Sequence, residues 1–172
     1  MVDKLGKGDT KMSNEYRDWI EDLRNSPKDS EDYDRYIALQ YPWARIHTWE
    51  GKVLDDDEDT SIFYYRLPDG WKIAFLEPLL KELDAAIKKL PPAQQEEFYL
   101  LDVKEKYGSL RIYPIWYTNE IDKVIDKYSE ISERTCYDCG APATKISTGW
   151  LEPYCDEHAP PNSTNINEDP LI

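Results

Sequence analysis

WKIAFLEPLLKELDAAIKKL, running from Trp71 to Leu90, is the stretch that decides the fold class. Leu76, Leu79, Leu80, Leu83, Ile87 and Leu90 recur at helical spacing and form one broad apolar stripe, so the segment is predicted to be an amphipathic helix. Pro68-Asp69-Gly70 supplies a turn ahead of it, Pro78 is expected to kink it, and Pro91-Pro92 ends it. Beyond that stop the pattern changes. FYLLDVKEKYG and SLRIYPIWY read as two strands around Gly108-Ser109, and Asn119 to Ser132 returns to helix with Ile121, Val124, Ile125, Tyr128 and Ile131 in register. Strands paired in sequence, with helices before and after, give an α+β fold: a small antiparallel sheet with helices packed on one face.

Upstream, Tyr16, Trp19, Ile20 and Leu23 stripe a helix over Asn14 to Arg24, and a second helix starts at Ser30, with Tyr33, Tyr36 and Ile37 inward, and stops at Pro42. ARIHTWEGKV and SIFYYRL are rich in β-branched and aromatic residues and are predicted to pair as a hairpin. Their connection holds five successive acids, Asp55, Asp56, Asp57, Glu58 and Asp59. Mutual repulsion keeps such a run in solvent.

The chain has 172 residues, room for one domain with a small appended module. Its division is expected to be a flexible leader over 1–12, the α+β domain over 13–132, a metal module over 133–158 and a disordered Pro- and Asn-rich tail over 159–172. Asp and Glu number 35 against 21 Lys and Arg, a net charge of −14. Direct nucleic-acid binding is disfavoured, because a phosphate backbone needs a basic face. No apolar run is long enough to cross a bilayer and no signal peptide is evident, so a cytosolic location is expected.

The strongest chemical signal lies near the C-terminus. Cys136-Tyr-Asp-Cys139-Gly140 and Cys155-Asp-Glu-His158 are two pairs of two-residue spacing, separated by 15 residues. The first pair turns two thiolates toward one ion, and Gly140 lets the backbone fold back behind them. With Cys155 and His158 the set closes a Cys₃His tetrahedron with no position left for water. One structural zinc in a zinc-knuckle or treble-clef-like module is the expectation.

Catalytic signals are weak by comparison. All three cysteines are spent on the metal, and His47 sits between aromatic residues in RIHTWE without a nucleophile elbow nearby. The seven glycines form no phosphate loop, and no enzymatic activity is expected. Lys104, Lys106 and Arg111 flank the Gly108 turn in KEKYGSLRIY and, with Tyr107 and Tyr113, could build an anion or nucleotide pocket. Cross-strand ion pairs are the plainer reading of the same residues. Trp43, Trp49 and Trp116, read as exposed, would allow a homodimer.

Gly70-Trp71 opening a helix, KEKYGSLRIY, CYDCG at 136, Trp150 and CDEH at 155, taken in that order, resemble a family of small phage-encoded zinc proteins. The resemblance spans residues 70 to 158. It implies an inhibitor of host defence acting in the bacterial cytoplasm, and among such inhibitors a type II anti-CRISPR that binds Cas9. On that implication the Asp55 to Asp59 run and the acids Asp18, Glu21, Asp22, Glu31, Asp32 and Asp34 would meet the basic effector, and zinc would only brace the C-terminal module. The alternatives are a protein that sequesters a nucleotide signal at Lys104 to Tyr113, or a structural zinc protein without that role.

Overall fold

The structure, a computed structural model, describes residues 14–54 and 59–168, so the leader and most of the acidic run lie outside the described residues. Chain order is α1 (Asn14–Asn25), α2 (Glu31–Gln40), the single turn α3 (Asp69–Trp71), α4 (Glu77–Ile87), α5 (Pro92–Glu96), β1 (Leu100–Lys106), β2 (Ser109–Pro114), α6 (Asn119–Ser132), then three two-residue strands, β3 (Lys145–Ile146), β4 (Pro153–Tyr154) and β5 (Thr164–Asn165). The α+β class is as expected, with one two-stranded and one three-stranded antiparallel sheet.

The Trp71 stretch is helical, with a wide π turn, Lys72–Leu76, joining α3 to α4 just ahead of Pro78. Pro78 lacks an N–H and its ring crowds the carbonyl four residues back. That carbonyl belongs to Ala74, inside the π turn, where the wider winding relieves the crowding. Leu76, Leu79, Leu80, Leu83 and Ile87 are buried as the stripe requires. They pack with Leu100, Val103, Leu110 and Ile112 of the hairpin and Ile121 and Tyr128 of α6 into one core. Thr118 caps α6 by accepting from the Ile121 N–H, and Ser30 caps α2 through Tyr33.

The β1–β2 hairpin forms as read, with the turn one residue earlier than expected. Tyr107 and Gly108 occupy it, with φ of 53° and 76°. Positive φ at both central residues suits the right-handed twist of the flanking strands. Lys104 lies opposite Arg111, and Lys106 opposite Ser109.

Three readings need correction. Among the described residues the segments 44–53 and 61–67 share a single isolated bridge, Arg45 with Ser61, while His47 bridges Val53 within the first segment. Ile62, Phe63 and Leu67 are all buried, a spacing of turns rather than alternation, and the Leu67 N–H reaches the Phe63 carbonyl at 3.1 Å. The tail is ordered where it is described, since Thr164–Asn165 pairs with β3 and Ile166 is 6% exposed. Trp43 is buried and donates to Asp84 at 3.2 Å, and Trp116 packs on Phe98, so of the three tryptophans only Trp49 is exposed.

Asp34 was read as part of the acidic face, yet it is 5% exposed. Its carboxylate accepts from the Ser61 backbone N–H at 3.1 and 3.2 Å and from the Ser61 hydroxyl, fixing α2 to the 61–67 segment. Burial pushes the carboxyl up to about 6, against the lowering effect of the Ser61 hydrogen bonds. An unfolded aspartate titrates near pH 4, so between roughly pH 4 and 6 the folded chain holds a proton that the unfolded chain has lost. The resulting stability is complete below that window and is lost as pH rises through it, about 3 kcal/mol in all. Asp34→Asn, which cannot ionise, is expected to gain on the wild type by up to about 3 kcal/mol between pH 4 and pH 7 in urea melts. A difference that does not change with pH would contradict the assignment.

Candidate metal centre

The last fully buried member of the main core is Tyr128, and beyond it Ile146 and Ile166 are buried singly. Among the described residues beyond it, Cys136, Tyr154 and Cys155 form a second buried cluster, with Tyr137, Cys139, Ala141 and Ala159 packed around them. So small a cluster cannot stabilise three short strands by apolar burial. Another source of cohesion is required, and a metal ion held by Cys136, Cys139, Cys155 and His158 could supply it.

Cys136, Cys139, Cys155 and His158 present donor atoms that all lie within 4.8 Å of one another and could hold one metal ion. Cys139 Sγ is 3.7 Å from Cys155 Sγ, Cys136 Sγ is 3.8 Å from His158 Nδ1, and Cys155 Sγ is 3.1 Å from the same nitrogen. Thiolate–metal bonds of about 2.3 Å in a tetrahedron give edges of roughly 3.7 Å. The donor set therefore fits one four-coordinate ion, with His158 ligating through Nδ1.

The local backbone explains why these residues converge. The Gly140 N–H bonds the Cys136 carbonyl at 3.1 Å and the Cys136 N–H bonds that of Ala141 at 2.8 Å, closing a knuckle that φ of +76° at Gly140 permits. The His158 N–H reaches the Cys155 carbonyl at 3.2 Å, so the second pair sits on its own tight turn. The Tyr137 N–H donates to the Pro153 carbonyl at 2.8 Å and ties the knuckle to β4.

Residues that the sequence could not mark as functional hold this knuckle on the main domain. The Gly70 N–H donates to the Tyr137 carbonyl at 2.9 Å, and Trp71, fully buried, donates from its indole to the Thr135 carbonyl at 3.1 Å. A Cβ on Gly70 would stand 2.1 Å from the Cys136 carbonyl oxygen, and one on Gly140 would stand 2.6 Å from that of Gly70. Backbone meets backbone here with no room for a side chain. A third glycine does the same at the hairpin turn, where a Cβ on Gly108 would stand 2.4 Å from the Leu151 carbonyl oxygen. Turn chemistry was the visible signal at Gly70 and Gly108; the contact across more than forty residues was not.

The other named residues do not form one site. Lys104 is engaged by Asp102 at 2.5 Å and lies over the Tyr113 ring, Lys106 lies over Tyr107, and Arg111 turns to the Ser129 hydroxyl at 3.4 Å. The three cations therefore do not converge on one anion. His47 stacks on Tyr99 and its Nδ1 bonds the Arg45 carbonyl at 2.7 Å, while burial holds the imidazole below its ordinary value despite that bond. Asp59 pairs with Arg35 at 3.6 Å, and Asp55 to Glu58 lie outside the described residues. Among the described residues no helix is long and apolar enough to cross a membrane.

Gly70→Ala is expected to destabilise the protein by about 3 kcal/mol, because a methyl group must displace fixed backbone, and to weaken metal retention with it. Urea unfolding and metal content after dialysis check this; a variant with unchanged midpoint would contradict the backbone contact. Comparison of the chain with protein-family models, curated proteins and solved structures finds no match.

Proposed function

We propose that the chain is a non-enzymatic phage anti-defence protein, an anti-CRISPR that docks on Cas9 through its acidic N-terminal helices and blocks loading of target DNA. The observation that supports this reading is the surface of α1 and α2. Asp18, Glu21, Asp22, Glu31 and Asp32 are exposed there, next to Tyr16 and Trp19, each 40% exposed and 5.6 Å apart. An aromatic pair rimmed by carboxylates suits a basic protein partner, because the rings supply contact area and the charges steer approach. Cas9 carries channels lined with basic residues for its nucleic acids, and occupation of such a channel would exclude DNA. Residues 70–158, which carry the phage-family resemblance, supply the platform behind these helices.

In this reading the ion is a single structural zinc. Three thiolates and an imidazole satisfy its four positions, leaving no site to activate water. The metal holds the C-terminal module on the domain and takes no part in chemistry.

The test is target-DNA binding by guide-loaded Cas9, with this protein added before or after the DNA. Inhibition is expected only when it is added first, and it should weaken as salt is raised. Reversing Glu21, Asp22, Glu31 and Asp32 to Lys is expected to raise the half-inhibitory concentration by about tenfold or more. Unchanged DNA binding in both orders of addition would overturn the proposal.

A further inference from the structure

A cavity of about 290 Å³ lies at the seam between the hairpin turn, the end of α6 and the 146–153 segment of the metal module. Arg111, an exposed side chain, and Glu133, half-buried, both line it. Opposite charges in so small a space ordinarily meet, but these two make no ion pair within 4.0 Å, with each other or with any other described residue. The Leu110 N–H donates to the Ser132 hydroxyl at 2.8 Å and the Ser109 and Ser129 hydroxyls meet at 2.8 Å, locking β2 to α6, and Arg111 is held toward Ser129.

Each charge sits where its complement belongs. Glu133 is the C-cap of α6, a fourteen-residue helix whose carbonyl end favours a cation, not a carboxylate. A guest ammonium group there would answer both the carboxylate and the helix end. Arg111 offers a planar fork suited to bidentate contact with a guest carboxylate, beside the serine hydroxyls. Ile146, Leu151 and Pro153 supply apolar lining, and Tyr107, 64% exposed and with its backbone at φ 53°, also lines the cleft. At about 290 Å³ the volume falls just below the roughly 300–1,000 Å³ range of small-molecule sites, suited to an amino acid rather than a nucleotide.

We propose that this cleft binds a free α-amino acid with an apolar or aromatic side chain, its carboxylate on Arg111, its ammonium on Glu133 and its side chain against Ile146, Leu151 and Tyr107. The apolar wall belongs to the metal module, so binding depends on the metal as well as on the two charges. This site is separate from the acidic helices assigned to Cas9, and each can fail without the other.

Isothermal titration of the metal-loaded full chain tests it, with L-phenylalanine, L-tryptophan and L-leucine as probes, their N-acetyl and methyl-ester derivatives, and AMP and GMP. Saturable binding is expected for at least one free amino acid, weakened about tenfold or more by blocking either terminus. Arg111→Gln should abolish the distinction between acid and ester, and Glu133→Gln that between amine and N-acetyl amine, with both variants keeping the wild-type melting temperature. Absence of binding by the folded, metal-loaded chain at millimolar probe would overturn the proposal. So would tighter binding of a nucleotide, or affinities that Arg111→Gln and Glu133→Gln leave unchanged.

Discussion

The meeting of Gly70 with Gly140 is the constraint on which the rest of this structure depends. A Cβ at Gly70 would fall 2.1 Å from the Cys136 carbonyl oxygen and 2.7 Å from the Gly140 nitrogen, so the start of the Trp71 helix and the ligand knuckle touch through bare backbone. Trp71, next in sequence, then enters the main core and bonds Thr135, while Tyr137 on the knuckle packs against both hydrophobic clusters. The hairpin is pinned to the same module from the other side by Gly108 against Leu151. Two glycine contacts therefore hold a module that has almost no apolar core of its own. In its interior Cys136, Cys139, Cys155 and His158 lie close enough together to hold one metal ion.

Charge is distributed by the same division of labour. The acids of α1 and α2 remain in solvent, whereas Asp34, on the same helix as Glu31 and Asp32, turns inward to anchor Ser61. Lys72 is its counterpart on the π turn, 5% exposed and paired with Asp69 at 2.8 Å. Buried charges in this chain have partners and serve the fold; exposed carboxylates are what it can offer another molecule.

Legibility in the sequence followed the range of the interaction. The Leu76 to Ile87 stripe, the α6 stripe and the alternation of buried Leu110 and Ile112 with exposed neighbours along β2 are local periodicities, and each element formed where its pattern lay. The Cys₃His set was readable because metal ligation imposes short, fixed spacings. The 44–67 region was misread because Ile62, Phe63 and Leu67 are held by turn hydrogen bonds and by Asp34, a contact 27 residues away that no local pattern carries. The β5 strand escaped notice because a two-residue strand in a polar tail has no period to detect, and its order comes from pairing with β3. Gly70 and Gly108 stood in the sequence as turn residues, while their purpose, close approach to another backbone, exists only in three dimensions.

On the proposed reading, a metal held by Cys136, Cys139, Cys155 and His158 maintains the C-terminal module. Native mass spectrometry of the purified chain, followed by amide hydrogen exchange before and after chelation, tests it most directly. One zinc per chain is expected, with slow exchange at Cys136, Tyr137 and Gly140 that collapses once the metal is removed, while amides of the Leu100–Pro114 hairpin stay protected. A chain purified without metal that still protects Cys136, Tyr137 and Gly140 would contradict it.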